Sequence, residues 1–531
     1  MKIEFVGGAG TVTGSSYIVK NDDFTIMVDC GMFQGRRELK ERNFQHLVYA
    51  PPEIDAILLT HAHIDHSGLI PKIVKEGYSN PIFTTDATAD LCTIMLPDSA
   101  HIQEMDIEWI NRRQKKLGRE PVLPLYTTED AEKALQYLRP RPYGEIFDVV
   151  GGVKARFRDA GHILGSAFIE MWVEEKGRTV KLVFSGDVGT KGQAIIRDPE
   201  TTDEADILLI ESTYGDRLHK SREDTFAEFK QVILDSHNRK GNIIIPSFAI
   251  ERTQEIIYVL GRLFREGAVP PIPVYIDSPL AISATEIFKK NAHLFDDEMR
   301  ALLSSGDNPL EFPGLHYTRS AEESKRLDET RGSIIIAASG MCTAGRIKFH
   351  LANNLYRGES CVVFVGFQAE GTLGRRLVDG EKRVSIYGED IAVRAKIHTL
   401  GGFSAHADRD HLLEWMSSIR NERLNVFVVH GEETASLAFA ESVRERFGYD
   451  TRVPRWGEVV DLDTMTSTPA HYGTAPTSSV EREMAALKET MAALFKKYEQ
   501  ARSEKRIVQA GRLEQDLNDL AEKARSLHDA L

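Results

Sequence analysis

Short apolar runs that end in glycine or polar clusters mark the first part of the chain. Runs at 2–6, 16–19, 25–28, 56–59, 180–184 and 207–210 read as strands, and most of them stop at a polar or glycine-rich turn. Residues 86–118 instead carry apolar positions at helical spacing, as in Thr93-Ile94-Met95 and 104–110, and predict a helix. From about 216 to 400 the texture changes to helices alternating with short buried strands. Helices are expected at 225–237, 252–265 and 281–288, with strands at 242–246, 274–277, 333–338 and 361–366. That βαβ rhythm predicts a parallel α/β module with its own core. The first pattern resumes at about 395, with strands expected at 395–400 and 425–429, so the module reads as an insertion into a first domain.

The end of the chain has a third pattern. Residues 465–479 are rich in Ser, Thr and Pro and read as a linker. Beyond it Val480, Met484, Leu487, Met491, Leu494 and Tyr498 step by four and three, and so do Leu513, Leu517, Leu520, Ala524, Leu527 and Leu531. These seams predict a helical hairpin or a broken coiled coil over 480–531, which either caps its own domain or pairs two copies into a homodimer. The expected layout is therefore 1–215 and 395–464 as one domain in two parts, 216–394 as the inserted module, 465–479 as the linker and 480–531 as the helical tail.

Composition narrows the class. The chain has 531 residues, 42% hydrophobic and 27% charged, which suits a soluble protein of two or three domains. Its four cysteines, Cys30, Cys92, Cys342 and Cys361, form no CxxC pair, so neither a disulfide framework nor a thiolate zinc knuckle is indicated. The amino terminus starts directly with a strand pattern, without an apolar signal core, and no stretch approaches a membrane span; the expectation is a cytoplasmic protein that avoids membranes. A net charge of −14 argues against a nonspecific nucleic-acid coater, yet leaves room for a basic groove or a metal site on an acidic body.

The chemistry concentrates in His61-Ala62-His63-Ile64-Asp65-His66, directly after the apolar run 57–60. In a loop after a strand, His61 and His63 can reach one metal while Asp65 and His66 reach a second. Imidazole and carboxylate are zinc or manganese ligands, and two such ions about 3.5–4 Å apart form a hydrolytic clamp. Further candidates end other strands: His162 among small residues, Asp187 in Ser185-Gly186-Asp187 as a carboxylate able to bridge two metals, and His430 after 425–429. Asp29, at a strand end before Cys30-Gly31, is either a turn residue or a carboxylate that orients ligand histidines from behind.

These motifs resemble the metallo-β-lactamase superfamily, through THxHxDHSG at 60–68, Asp29, the GHxLGS around His162 and the SGD of Asp187. The segments around Glu211, at 246–255, 338–346, 366–376 and 402–408, and His430-Gly431-Glu432 resemble its β-CASP branch, the group related to the endonuclease subunit of the cleavage and polyadenylation specificity factor. The resemblance spans about 1 to 460. It implies an αββα sandwich with an inserted parallel α/β cap, and a zinc-dependent ribonuclease that cuts RNA internally to leave a 3′-hydroxyl and a 5′-phosphate. It implies His61, His63 and His162 on one zinc, Asp65, His66 and His430 on another (manganese being the alternative metal), and Asp187 between them. It also implies catalytic roles for Asp65, for Glu211 and for His406 as general acid. Glu251 stands where many relatives have glycine. Arg252, Arg346, Arg375 and Arg376, in or after small-residue turns, are candidate contacts to RNA phosphates. The other readings are an RNA-binding assembly subunit with little cleavage, and a 5′-exonuclease mode of the same site.

Overall fold

The computed structural model describes residues 1–45, 49–306 and 308–469. Three main sheets organise them. An eight-stranded sheet runs in the order Thr466–Pro469, Glu458–Asp461, Lys2–Phe5, Tyr17–Lys20, Thr25–Val28, Ala56–Leu58, Ile82–Thr84, Leu138–Pro140. A seven-stranded sheet runs Asp450–Arg452, Asn425–Val429, Ile207–Glu211, Arg178–Phe184, Ala167–Glu175, Val153–Asp159, Ile146–Val150.

The two sheets share a core. Ile26 and Val28 of one strand point into it with Phe5 and Leu58, against Phe157, Ile169, Leu182, Leu209 and Phe427 of the other sheet. The alternate positions face outward onto helices. Met27 and Ile57 meet Ile70, Ile73 and Leu91, while Leu208 and Ile210 meet Leu412, Trp415 and Phe439. Strands apolar on both faces read as unbroken hydrophobic runs, which is why Ile207–Glu211 is so visible in the sequence. The layers are helix, sheet, sheet, helix.

Ile207–Glu211 and Asn425–Val429 are neighbours in parallel register, Ile207 opposite Asn425 and Glu211 opposite Val429. The six-stranded sheet lies between them in sequence, in the order Leu315–Tyr317, Val274–Ile276, Ile334–Ala337, Ile243–Pro246, Cys361–Phe364, Lys396–Thr399. Every pairing in it is parallel. This is the inserted α/β module, and it acts as a cap over the sandwich.

Two boundaries differ from expectation. Lys396–Thr399, read as the reopening of the first domain, pairs with Cys361–Phe364 and forms an edge of the cap sheet. Its Lys-Ile-His-Thr alternation suits an edge, where polar side chains remain wet. Thr466–Pro469, read as the start of the linker, pairs antiparallel with Glu458–Asp461. The rest of the expected linker and the whole 480–531 tail, with its proposed dimer seam, lie outside the described residues. All four cysteines are free and buried. Among the described residues no helix is long and apolar enough to cross a membrane.

Candidate metal centre

Strand ends from both sandwich sheets converge on one point. Asp29 follows Thr25–Val28 and takes φ +58° there. The adjacent strand Ala56–Leu58 lies in parallel register, so Asp29 meets the loop that follows it. Asp29 Oδ1 accepts from the Thr60 N–H at 2.8 Å, and Oδ2 accepts from the Thr60 hydroxyl at 2.9 Å. The same Oδ2 lies 2.7 Å from His66 Nδ1. Such a carboxylate fixes the tautomer and leaves His66 Nε2 facing inward with a lone pair.

His63 precedes the short helix Ile64–Ser67, which sets Asp65 and His66 on its first turns. This helix packs so closely on Gly31 that a Cβ there would sit 1.8 Å from the Asp65 carbonyl oxygen. His162 sits in the turn between Val153–Asp159 and Ala167–Glu175. Ser166 Oγ accepts from the His162 N–H at 3.0 Å, and the Thr85 and Thr88 hydroxyls donate to the Gly165 carbonyl at 2.6 and 2.8 Å. Asp187 follows Arg178–Phe184. His430 follows Asn425–Val429 with φ +46°, and its N–H donates to the Gly8 carbonyl at 2.6 Å.

The polar atoms fall into two groups that share Asp187. His61 Nε2 and His162 Nε2 each lie 3.2 Å from His63 Nδ1, and 3.4 and 3.5 Å from Asp187 Oδ2. On the other side, His66 Nε2 and His430 Nδ1 lie 3.2 and 3.4 Å from Asp187 Oδ1, and His430 Nε2 is 3.9 Å from Asp65 Oδ2. Zinc–nitrogen bonds near 2.0–2.1 Å in tetrahedral geometry put ligand atoms about 3.3 Å apart, and the first group has that spacing on the edges given. Asp187 Oδ1 and Oδ2 and His66 Nε2 are buried without a hydrogen-bond partner. Lone pairs facing lone pairs in a dry site cost free energy unless a cation stands among them.

The electrostatics agree. Burial pushes His63 and His162 well below the ordinary imidazole range, so both are neutral donors. At His66 burial acts in the same direction, but the Asp187 and Asp29 carboxylates outweigh it and raise the pKa well above its usual value. That position favours positive charge, as a proton or as a metal. The donor set fits divalent metal, and the cluster is a metal-binding centre.

Beside it, Glu211 ends Ile207–Glu211, fully buried, with Oε1 accepting from the Val188 N–H at 2.7 Å. His406 Nδ1 lies 3.1 Å from Glu211 Oε2 and 3.9 Å from Asp187 Oδ2. Burial would lower His406; Glu211 and Asp187 overcome it and push the pKa up to about 9.

The four arginines are not alike. Arg252 is buried and ion-paired with Glu255. Arg346 Nη1 is 2.6 Å from Asp277 and also donates to the Thr318 carbonyl. Both guanidinium groups have ion-pair partners within the cap. Arg375 and Arg376 pair with Asp379 and Glu381 at the surface.

Three positions escaped the sequence reading. The Ser15 hydroxyl lies 2.8 Å from His430 Nδ1. Phe248 of the cap places its ring 5.9 Å from that of His63. Glu251, noted only as a replaced glycine, has φ +66°, is buried, and accepts from the Leu164 N–H at 3.1 Å, two residues from His162. The Gly-Ser-Ser at 14–16 was the available signal for Ser15; the other two contacts join residues far apart in sequence.

Three family models match parts of the chain. Residues 9–146 match the Metallo-beta-lactamase superfamily, 253–377 the Beta-Casp domain, and 390–454 the Zn-dependent metallo-hydrolase RNA specificity domain. Ribonuclease TTHA0252 of Thermus thermophilus is 38% identical over 464 residues, covering 87% of this chain and 100% of the relative. Transcription termination factor FttA of Methanocaldococcus jannaschii is 31% identical over 465 residues, covering 86% of this chain and 70% of its own length. The chain belongs to the β-CASP family of metallo-β-lactamase-fold hydrolases.

Proposed function

We propose that the protein is a metal-dependent ribonuclease that cuts RNA internally, leaving a 3′-hydroxyl and a 5′-phosphate, with two zinc ions in the centre. One observation carries this reading: the two oxygens of Asp187 face separate His-rich groups while His406, braced by Glu211, stands alongside. The names of the relatives, a ribonuclease and a transcription termination factor, point the substrate class to RNA.

Two divalent ions, when bound, supply Lewis acidity and a water that ionises near neutral pH. The chain's own residues do the rest. His61, His63, His162 and Asp187 would hold one ion, and Asp65, His66 and His430, beside the other oxygen of Asp187, would hold a second. Asp29 and Ser15 fix the rings of His66 and His430. His406 donates its Nδ1 proton to Glu211, which orients the ring. Its other nitrogen carries a proton at neutral pH and delivers it to the leaving sugar oxygen. Arg375 and Arg376, a third or more exposed, can leave their surface partners for phosphates.

The test is one RNA labelled separately at each end, incubated with wild type, with wild type plus chelator, and with Asp65→Ala and His66→Ala. Internal products that vanish in the last three arms are expected. Full activity in folded Asp65→Ala would reject the proposal, and stepwise release of nucleotides from the 5′ end would reject the endonucleolytic mode.

A further inference from the structure

The long helix Asp86–Lys116 begins at the metal centre: Thr85 caps it, and Thr85 and Thr88 hold the turn that carries His162. It ends far away, since the 21 residues from Thr88 to Trp109 rise roughly 30 Å. That distal end is unusual for this chain. Arg112, Arg113, Lys115, Lys116 and Arg119 place five cations within eight residues of a protein whose net charge is −14, and all five are exposed. Among the described residues only Arg112 has an ion pair, with Glu108 at 2.5 Å. Cations in the last turn of a helix are ordinary, because they complement its dipole. The dipole accounts for Arg113, Lys115 and Lys116, which lie in that last turn, but not for the apolar surface beside them.

Trp109 is 64% exposed, Leu117 57% and Leu123 78%. Trp109, Arg113 and Lys116 lie at i, i+4 and i+7, on one helix face. The returning segment is pinned to this end: Asn111 Nδ2 donates to the Val122 carbonyl at 2.9 Å, and its Oδ1 accepts from the Val122 N–H at 2.7 Å. The indole is therefore presented on a fixed support. An exposed aromatic ring flanked by unneutralised cations is the arrangement that binds single-stranded nucleic acid, the ring stacking a base and the cations taking phosphates.

We propose that this helix end is an accessory binding site for single-stranded RNA, roughly 30 Å from the metal centre by helical rise. It rests on the ribonuclease reading for its substrate. An RNA long enough to occupy both places is held at two points; an oligonucleotide that only fills the centre is not. Specificity for long RNA then resides in KM, and kcat stays with the metal centre.

The test uses the full-length protein, an 8-nucleotide RNA and a 40-nucleotide RNA of mixed sequence, and two variants, Trp109→Ala and the triple change Arg113→Glu, Lys116→Glu, Arg119→Glu. Each variant should raise KM about tenfold on the long RNA while kcat and the short-RNA KM stay at wild-type values. Binding of the 40-mer in chelator, where nothing is cleaved, should lose about two units of its log–log salt dependence in the triple variant, at about 0.7 per phosphate contact. Unchanged KM and unchanged salt dependence would overturn the proposal. A wild-type dimer that dissociates in the variants, with RNA binding unaffected, would overturn it in favour of a second copy of this chain. If wild type binds the 40-mer through this end yet cleaves no RNA, the catalytic reading fails and this one stands; if it neither binds nor cleaves, both fail.

Discussion

Asp187 and Asp277 are both aspartates at the ends of buried strands, both have histidine beside them, and their surroundings use them in opposite ways. Asp277, in the cap, accepts from Arg346 Nη1 at 2.6 Å, His350 Nε2 at 2.6 Å, the Ser324 hydroxyl at 2.5 Å and the Thr318 hydroxyl at 2.8 Å. Burial alone would raise its pKa; the His350 and Ser324 hydrogen bonds and Arg346 instead hold it down to about 2. Asp187 is as deeply buried and has no donor at either oxygen. Glu251 stands between them: one oxygen accepts from the Leu164 N–H, the other is unpartnered, and burial pushes its pKa up to about 8. Three buried carboxylates thus meet three different surroundings: four protein donors at Asp277, a single backbone donor at Glu251, and none at Asp187, where imidazole nitrogens face both oxygens. Residue type and burial do not separate a site from a structural cluster; the account of hydrogen bonds does.

The largest expected effects come from removing each aspartate. Asp187→Asn should cut RNA cleavage by more than about 100-fold, beyond the usual loss for a group that only supports a ligand. In chelator its urea midpoint should match or exceed that of wild type. Asp277→Ala should do the reverse, costing about 3–5 kcal/mol by stranding Arg346 and His350 and leaving turnover per folded molecule intact. If both variants lost stability equally in chelator, the distinction would be gone.

Acidity sharpens the comparison further. Asp277 has a folded pKa below its unfolded value near 3.8, so its contribution is present above that pH and is lost as pH falls toward 2. It amounts to about 2 kcal/mol, at 1.36 kcal/mol per unit. In urea titrations between pH 5 and 2.5, Asp277→Asn should lack that part of the acid sensitivity. Glu251 has the opposite sign. Its folded pKa is raised, so its contribution is present below 4.5 and is lost as pH rises through about 8. Glu251→Gln should therefore gain stability relative to wild type between pH 5 and 8. A parallel pH profile for the variant and wild type would show that Glu251 is ionised in the folded state.

The contrast also explains what was readable in the sequence. The hexapeptide 61–66 was legible because its ligands are local, and the strand-end residues Asp29, His162, Asp187 and His430 because apolar runs announce the strands before most of them. Val153–Asp159 went unmarked although its buried Val153, Ala155 and Phe157 alternate with exposed or half-exposed Lys154 and Arg156. Charged outer positions broke the apolar run while keeping the period of two. The Asp277 network and the Glu251 contact were not legible. Their partners lie far away in sequence, 47 to 87 positions for Ser324, Arg346, His350 and Leu164, and only the fold brings them together.

The most direct measurement is anomalous diffraction at the zinc edge from crystals of the protein loaded with zinc, and of Asp187→Asn treated alike. Wild type should show two peaks about 3.5–4 Å apart, one on each side of the Asp187 carboxylate, and the variant should lose at least one. A wild-type crystal with no peak among His61, His63, His66, His162 and His430 would contradict the account.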